Sequence, residues 1–275
     1  MDQLTTLLNR FSLHAGVFYT GNICGIHDFQ QDSVRGHLHL IRRGPVLVMG
    51  VRPGSFTITE PALLFLPRPD THRLIADERS GADVVCGTVQ FGGGSSNPIT
   101  ASLPSVVMVE LRRLPGVEAL LGLMFDEAFA EQDGRQAVLD RLCEVLMIQL
   151  LRYCIAQHLT RGGALAGLAD ARLAKALNAM HLKPEQAWRL EDMAALAGMS
   201  RARFAVHFHQ VTGETPADYL ASWRVLLAQG LLQRGLALKH VAGEVGYGSP
   251  SALTRAFQRK LGCAPGEWLK GTQAQ

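Results

Sequence analysis

Long apolar runs are missing from this sequence of 275 residues. The most apolar helical stretch, Leu142 to Ala156, is interrupted by Glu144, Gln149 and Arg152, well short of the ~18 uninterrupted apolar residues that a membrane span needs. The N-terminus, MDQLTTLLNR, lacks the basic start, apolar core and small-residue cleavage site of a secretory signal, so a cytoplasmic protein with no membrane partner is expected. Paired cysteines are missing too. Cys24, Cys86, Cys143, Cys154 and Cys263 are odd in number and form no CxxC, which excludes a disulfide scaffold and a zinc finger. There is no GxSxG, no P-loop GxxxxGK[ST], no GxGxxG opening a helix after a strand and no HExxH, so neither catalysis nor a cofactor is expected. With 47% hydrophobic and 19% charged residues, disorder and coiled coil are excluded as the main state.

What is present is a chain of two or three compact units. Positive charge is unevenly shared between them: residues 1 to 167 carry 14 basic and 16 acidic side chains, residues 168 to 275 carry 13 and 8. A basic C-terminal part suits a polyanion. From Ser12 to Gln90 short runs such as HLHLI, PVLVMGV, ALLFLP and DVVCGTVQF alternate with Gly, Pro, Asp and Ser clusters, the pattern of an all-β sandwich or barrel. The stretch FGGGSSNPITASLP, Phe91 to Pro104, ends that pattern and marks a boundary. Beyond it Gly116 to Phe129 and Arg135 to Leu159 read as helices, the second with too many apolar positions (Val138, Leu142, Val145, Leu146, Ile148, Leu151) for one buried stripe. RGGALAG, Arg161 to Gly167, reads as a short flexible linker, and helices with tight turns follow.

The C-terminal third repeats itself. Ser200, Phe204, Phe208, Gly213, Pro216, Tyr219 and Leu220 recur as Ser249, Leu253, Phe257, Gly262, Pro265, Trp268 and Leu269, and Ala194 and Gly198 recur as Ala242 and Gly246. Each copy reads helix, glycine turn, helix. The glycine supplies a left-handed backbone, the serine caps the next helix, and the paired large residues bury against the first helix. This is helix-turn-helix logic; an ordinary bundle explains the periodicity but not the duplicated turn, cap and Gly-x-x-Pro.

The segments MSRARFAVHFHQVTGETPADYL and GYGSPSALTRAFQRKLGCAPGEWL resemble the two recognition units of AraC-type bacterial transcription regulators. The resemblance implies a double helix-turn-helix domain over 168–275 that binds double-stranded DNA, Thr215 to Gln233 as the long joining helix, and RNA polymerase as a partner. Subtracting the buried residues leaves Ala202, Ala205, Val206 and His209 on the open face of the first recognition helix and Ser251, Thr254, Arg255 and Gln258 on the second. Arg255 suits guanine O6 and N7, and the small apolar first face suits thymine methyls. Arg201, Arg203, Arg259 and Lys260 fit phosphates, although any one of them can equally be a solvated surface charge.

Residues 16 to 90 resemble the cupin-like sensor domain of the same family, so 1–104 is expected to be a cupin-like β-barrel and 105–160 a helical linker and homodimerisation segment. His37, His39 and His72 stand where cupins carry histidine motifs. Arg43 replaces the usual glutamate and Pro69 a glycine, so ordinary strand or pocket histidines are expected here, with no metal. Cys24 and Cys86, each followed by glycine, are similar to the cysteine pair of the reactive-chlorine-responsive members, which implies an activator that senses oxidant, the glycine opening access to the sulfur. Inert core cysteines and a pocket for a small organic ligand remain open, as does, in a different class, a metal-dependent cupin enzyme. Cys143 and Cys154 share a helix face and are read as packing residues.

Overall fold

A computed structural model describes residues 3–30, 34–52, 54–92, 97–130 and 132–273, in two compact units. Of the Gly/Ser/Pro stretch, residues 93–96 lie outside the described residues.

The first unit holds nine strands among the described residues: β1 (Leu13–Ile23), β2 (Gly25–Phe29), β3 (Gly36–Arg43), β4 (Val46–Met49), β5 (Phe56–Ile58), β6 (Ala62–Leu66), β7 (His72–Ala76), β8 (Ala82–Phe91) and β9 (Val107–Glu110). They form one sheet in the order β1-β8-β3-β6-β9 and another in the order β2-β7-β4-β5. Both contribute to one core, with Ile23, Ile41, Leu64, Val84 and Cys86 from the first and Val46, Val48, Ile58 and Leu74 from the second. On the first sheet Leu38, Leu40, Leu63 and Phe65, which point the other way, are buried as well. A sheet covered on both faces explains why ALLFL reads as a continuous apolar run and why β3 is buried at every position from Gly36 to Ile41, histidines included. β9 extends this sheet beyond Pro104, past the point where the strand pattern in the sequence stops.

The second cover is helical. The short α2 (Pro98–Ser102) is followed by α3 (Glu118–Phe129) and α4 (Arg135–Ala156), and α4 lies along β1. The register of β1 on β8 shifts between Val17 and Tyr19, a bulge that leaves Phe18 without a partner, and because β1 is the edge of its sheet its outer backbone polar groups need other partners. Helix α4 supplies them: Val17 N donates to Asp140 Oδ1 at 2.9 Å and Gln136 Nε2 donates to the Val17 carbonyl at 2.6 Å. Arg135 also donates to Thr20 Oγ1. Leu139, Cys143, Leu146, Met147, Leu150, Leu151 and Cys154 of α4 are buried within the chain. The broad apolar surface of this helix is therefore largely absorbed by its own unit, leaving a strip that includes Val138 and Val145, 39% and 45% exposed.

The second unit is helical: α1 (Gln3–Arg10), α5 (Gly163–Ala169), α6 (Leu173–Leu182), α7 (Leu190–Leu196), α8 (Arg201–Thr212), α9 (Pro216–Gln233), α10 (Leu238–Glu244), α11 (Pro250–Leu261) and α12 (Pro265–Gln273). α1 packs on α6. The expected flexible linker is corrected here: Gly163–Ala169 is a helix with Ala164, Leu165, Gly167 and Leu168 buried. Its small residues serve close packing, with Gly167 set against Leu177 of α6 and Thr212 of α8. At the centre His181 is buried, its Nε2 2.8 Å from the Tyr219 hydroxyl and its ring stacked 3.8 Å from Trp223. Burial pushes its pKa down to about 3.

Candidate nucleic-acid interface and sensor site

Both copies of the repeat fold alike. α7 leads through Gly198 (φ 64°) into α8, and α10 leads through Gly246 (φ 85°) into α11. Ser200 accepts from Arg203 N and Ser249 from Ala252 N, so each serine caps its helix. Gly213 and Gly262, both left-handed, close α8 and α11. Phe204, Phe208, Leu253 and Phe257 are fully buried, each stabilising the unit by ~1.5–3 kcal/mol relative to exposure. α9, capped by Thr215 with Pro216 in its first turn, packs against α8, α10, α11 and α12 and so joins the two recognition units.

The open faces follow from that burial. Ala202, Val206 and His209 on α8 and Ser251, Arg255 and Gln258 on α11 are exposed, with Ala205 and Thr254 half-buried beside them. The Thr254 hydroxyl donates to the Pro250 carbonyl at 3.0 Å, so its proton is already engaged. Of the basic residues flanking these faces, Arg203 and Arg259 are exposed. Arg201 pairs with Glu191 at 2.6 Å and Lys260 lies 3.9 Å from Asp218; a phosphate must displace these carboxylates.

Two supports of this surface were not legible in the sequence. Arg224 of α9 donates through Nε to the Pro184 carbonyl (2.7 Å) and through Nη2 to the Gln186 carbonyl (2.8 Å), and lies over the Tyr247 ring at 5.6 Å. It thus ties α9 to the loop before α7 and to the turn of the second unit. Asp170 caps α6 through the N–H groups of Arg172 and Leu173 and meets His207 of α8 at 2.7 Å. Its position three residues before the first residue of α6 is the one signal the sequence offers.

In the sheet unit, β3 presents His37 and His39 on its inner face, and β7 brings His72 to them from the other sheet. Ring centroids lie 6.2 Å apart for His37 and His39, 5.0 Å for His37 and His72, and 4.9 Å for His39 and His72. Phe29 stacks on His72 at 5.0 Å and meets His39 edge-on at 4.6 Å. His39 Nε2 and His72 Nε2 are 2.7 Å apart. That is a hydrogen bond, closer than the ~3.3 Å that two imidazole nitrogens keep around a tetrahedral ion with bonds of ~2.0–2.1 Å. Among the described residues no group of three or more His, Cys, Asp or Glu side chains could hold a metal ion. Burial first, then the neighbouring histidines, hold His39 well below the usual imidazole range, and burial brings His72 to about 4.

The two cysteines of interest differ sharply in environment. Cys24 is exposed at the end of β1; its thiol donates to Asn22 Oδ1 at 3.2 Å, and Asn22 Nδ2 in turn donates to Asp83 Oδ1 at 2.8 Å. Cys86 is buried, its Sγ 3.0 Å from His39 Nδ1. The idea that the following glycine opens the sulfur to oxidant fails at Cys86. A side chain at Gly87 would meet the Gly16 carbonyl oxygen at 2.9 Å, so this glycine admits β1 and not an oxidant. Register fixes the cysteines' separation. Ile23 pairs with Ala82 and Tyr19 with Cys86, and Gly81 lies against the Cys24 sulfur. The cysteines are therefore about five strand positions apart, roughly 17 Å at ~3.3 Å per residue, far beyond the ~7 Å Cα separation a disulfide tolerates.

Comparison with known proteins agrees with this architecture. Residues 2–156 match the cupin family and residues 193–271 a helix-turn-helix domain family. The RCS-specific HTH-type transcriptional activator RclR of Escherichia coli strain K12 is 31% identical, over 98% of this chain and 97% of its own. A protein named as an AraC-like transcription regulator in Streptomyces antibioticus is 31% identical over 98% of this chain and 97% of its own. An uncharacterized HTH-type transcriptional regulator of Haemophilus influenzae is 29% identical over 88% of each. With its duplicated recognition unit and its two-sheet N-terminal unit, the chain belongs to the AraC-type family of DNA-binding transcription regulators with a cupin domain, and is not an enzyme.

Proposed function

We propose that this regulator is a cytoplasmic activator that binds double-stranded DNA through α8 and α11 and changes its affinity when a reactive chlorine species oxidises Cys24 and Cys86. The observation that carries the reading is the placement of an exposed cysteine at the end of β1 and a buried one on its ladder partner β8. The RCS-specific relative supports the choice of oxidant. Cys24 meets the oxidant first, and the resulting sulfenyl species condenses with Cys86. Because register holds the two apart, the bond strips β1 from β8. Hydrogen bonds tie β1 to α4 through Val17 and Thr20, so β1 cannot move without pulling on the last helix before the chain leaves for the DNA-binding unit. A coupling of ~1–3 kcal/mol makes a usable switch.

On DNA, Arg255, Ser251, Thr254 and Gln258 read base edges, Ala202, Ala205, Val206 and His209 approach thymine methyls, and Arg203, Arg259, Arg201 and Lys260 contact phosphates. A homodimer through the exposed strip of α4 and contact with RNA polymerase belong to the same reading. DNA affinity measured on reduced and oxidant-treated protein, repeated with Cys24→Ala, Cys86→Ala and both, tests it. The double variant is expected to lose the response, and one that responds as the parent does refutes the reading. A second reading then takes over, a small organic anion as effector. It is favoured by a cavity of about 620 Å³ lined by three arginines, Arg52, Arg68 and Arg161, against one carboxylate, Asp70, with Thr71 and Ser105.

A further inference from the structure

Three cysteines of the sheet unit, Cys86, Cys143 and Cys154, are buried, and burial pushes each thiol up to about 12. By that measure all three are equally inert. Cys86 differs in its cross-strand partner: His39 stands directly opposite it in the β3–β8 register, its Nδ1 3.0 Å from the sulfur. From there a chain of contacts runs on. His39 Nε2 is 2.7 Å from His72 Nε2, and His72 Nδ1 is 3.0 Å from the Asp70 carbonyl oxygen.

The far end of this chain decides the protons at the near end. A carbonyl oxygen only accepts, so His72 Nδ1 carries a proton and, in a neutral ring, its Nε2 is bare. His39 Nε2 must then donate, which leaves His39 Nδ1 bare and facing the Cys86 thiol. Both rings are kept neutral by burial, so this assignment holds at neutral pH. Cys86 is thus the buried thiol with a base already aimed at its proton.

We propose that Cys86, His39, His72 and the Asp70 carbonyl form a proton relay that makes this buried thiol reactive, with His39 as the base and His72 as the residue that orients it. The proposal rests on the reading of Cys24 and Cys86 as an oxidant-sensing pair. Hypochlorous acid and the Cys24 thiol give a sulfenyl chloride and water. The Cys86 sulfur attacks that sulfenyl sulfur, the S–S bond forms, the S–Cl bond breaks and chloride leaves, while the Cys86 proton passes to His39 Nδ1. Two thiols lose two electrons in all, and the oxidant's chlorine gains two. The relay survives the strand movement this needs, because β8 borders β1 on one side and β3, which carries His39, on the other.

The test is alkylation of the reduced full-length chain with iodoacetamide, the rate at each cysteine read by peptide mass spectrometry. Cys143 and Cys154 serve as buried controls in the same molecule. Cys86 is expected to react at least about a hundred-fold faster than either, the lower end of the range for a positioned base. His39→Gln, which can hydrogen-bond but cannot take the proton, is expected to bring Cys86 down to the controls. His72→Leu is expected to slow Cys86, and His72→Gln, whose Oε1 still accepts from His39, to restore it. Equal rates at the three cysteines of the parent, or a lead at Cys86 that survives His39→Gln, overturn the relay. So does stoichiometric zinc or copper on the purified chain that is lost in His39→Gln, since a ligated nitrogen accepts no proton. Unfolding by a substitution raises Cys143 and Cys154 together, and His39→Asn then replaces that variant. If Cys86 leads but oxidant leaves DNA affinity unchanged, the relay stands and the sensing reading fails. If affinity responds while Cys86 has no lead, the relay fails and sensing through Cys24 stands.

Discussion

Gly198 and Gly246 occupy the same place in the two copies of the repeat, and replacing each with alanine separates backbone strain from crowding. Both are left-handed, at φ 64° and 85°, so alanine costs ~1–2 kcal/mol at either from conformation alone. At Gly198 nothing lies within 4 Å of the added Cβ. At Gly246 the Cβ meets Glu185 Cα at 2.7 Å, the Pro184 carbonyl oxygen at 2.8 Å and Arg224 Nη2 at 2.8 Å. Two of these are backbone atoms that cannot swing aside, and the third is the guanidinium that links α9 to the second turn. Overpacking of this kind adds ~1–3 kcal/mol, for a total of ~2–5 kcal/mol. All three tryptophans, Trp188, Trp223 and Trp268, lie in the helical unit, so their fluorescence follows that unit alone during urea unfolding of the whole chain. With a slope of ~1–3 kcal/mol per molar urea, Gly246→Ala is expected to lower the midpoint two- to three-fold more than Gly198→Ala. Equal shifts would refute the reasoning, because they would leave no role for the Glu185 and Pro184 backbone.

Three further outcomes are expected. Arg255→Ala weakens binding to the preferred site by ~1–3 kcal/mol and random DNA far less, whereas Arg259→Ala weakens both and lowers the salt slope by about one phosphate contact; competition titrations at several salt concentrations check both, and equal losses on the two DNAs make Arg255 a phosphate contact instead. Acidification destabilises the helical unit: His181 titrates at about 3 when folded but ~6.5 when unfolded, so the unfolded chain binds the extra proton between these values. Its stability is full above pH ~6.5 and falls toward 3, by about 2 kcal/mol between pH 7 and 5. His181→Phe is expected to flatten this loss, and an unchanged pH slope in the variant argues against it. Val138→Glu together with Val145→Glu, at the two exposed α4 positions, is expected to convert a dimer to a monomer in sedimentation; a dimer that persists places the contact elsewhere.

The helix-turn-helix repeat was readable because its determinants are local. Ser200 and Ser249 cap, Gly198 and Gly246 turn, and paired large residues bury one turn apart, all within about twenty positions. Long-range geometry left weaker marks. RGGALAG reads as a linker because small residues suit both flexibility and close packing, and the choice depends on Leu177 and Thr212, which the local sequence does not reveal. The apolar breadth of α4 suggests a second protomer, yet much of it meets β1, a contact between segments more than a hundred residues apart. His37 and His39 were legible as neighbours on one strand face. Their meeting with His72 needs a second sheet, and the link from His39 to Cys86 needs the β3–β8 register. That same kind of register keeps Cys24 far from Cys86, which no spacing in the sequence reveals.

The duplicated recognition unit is a duplication in fold but not in surface. α8 exposes Ala202, Val206 and His209 with Ala205 beside them, while α11 exposes Ser251, Arg255 and Gln258 with Thr254 beside them, and in the proposed reading α9 fixes the order in which they meet a duplex. A single chain therefore has a head and a tail. Its footprint has a polarity that a symmetric reader lacks, and reversing a site relative to a promoter presents the opposite end of the protein to whatever is bound alongside. Orientation, as well as sequence and spacing, becomes something the regulator can distinguish.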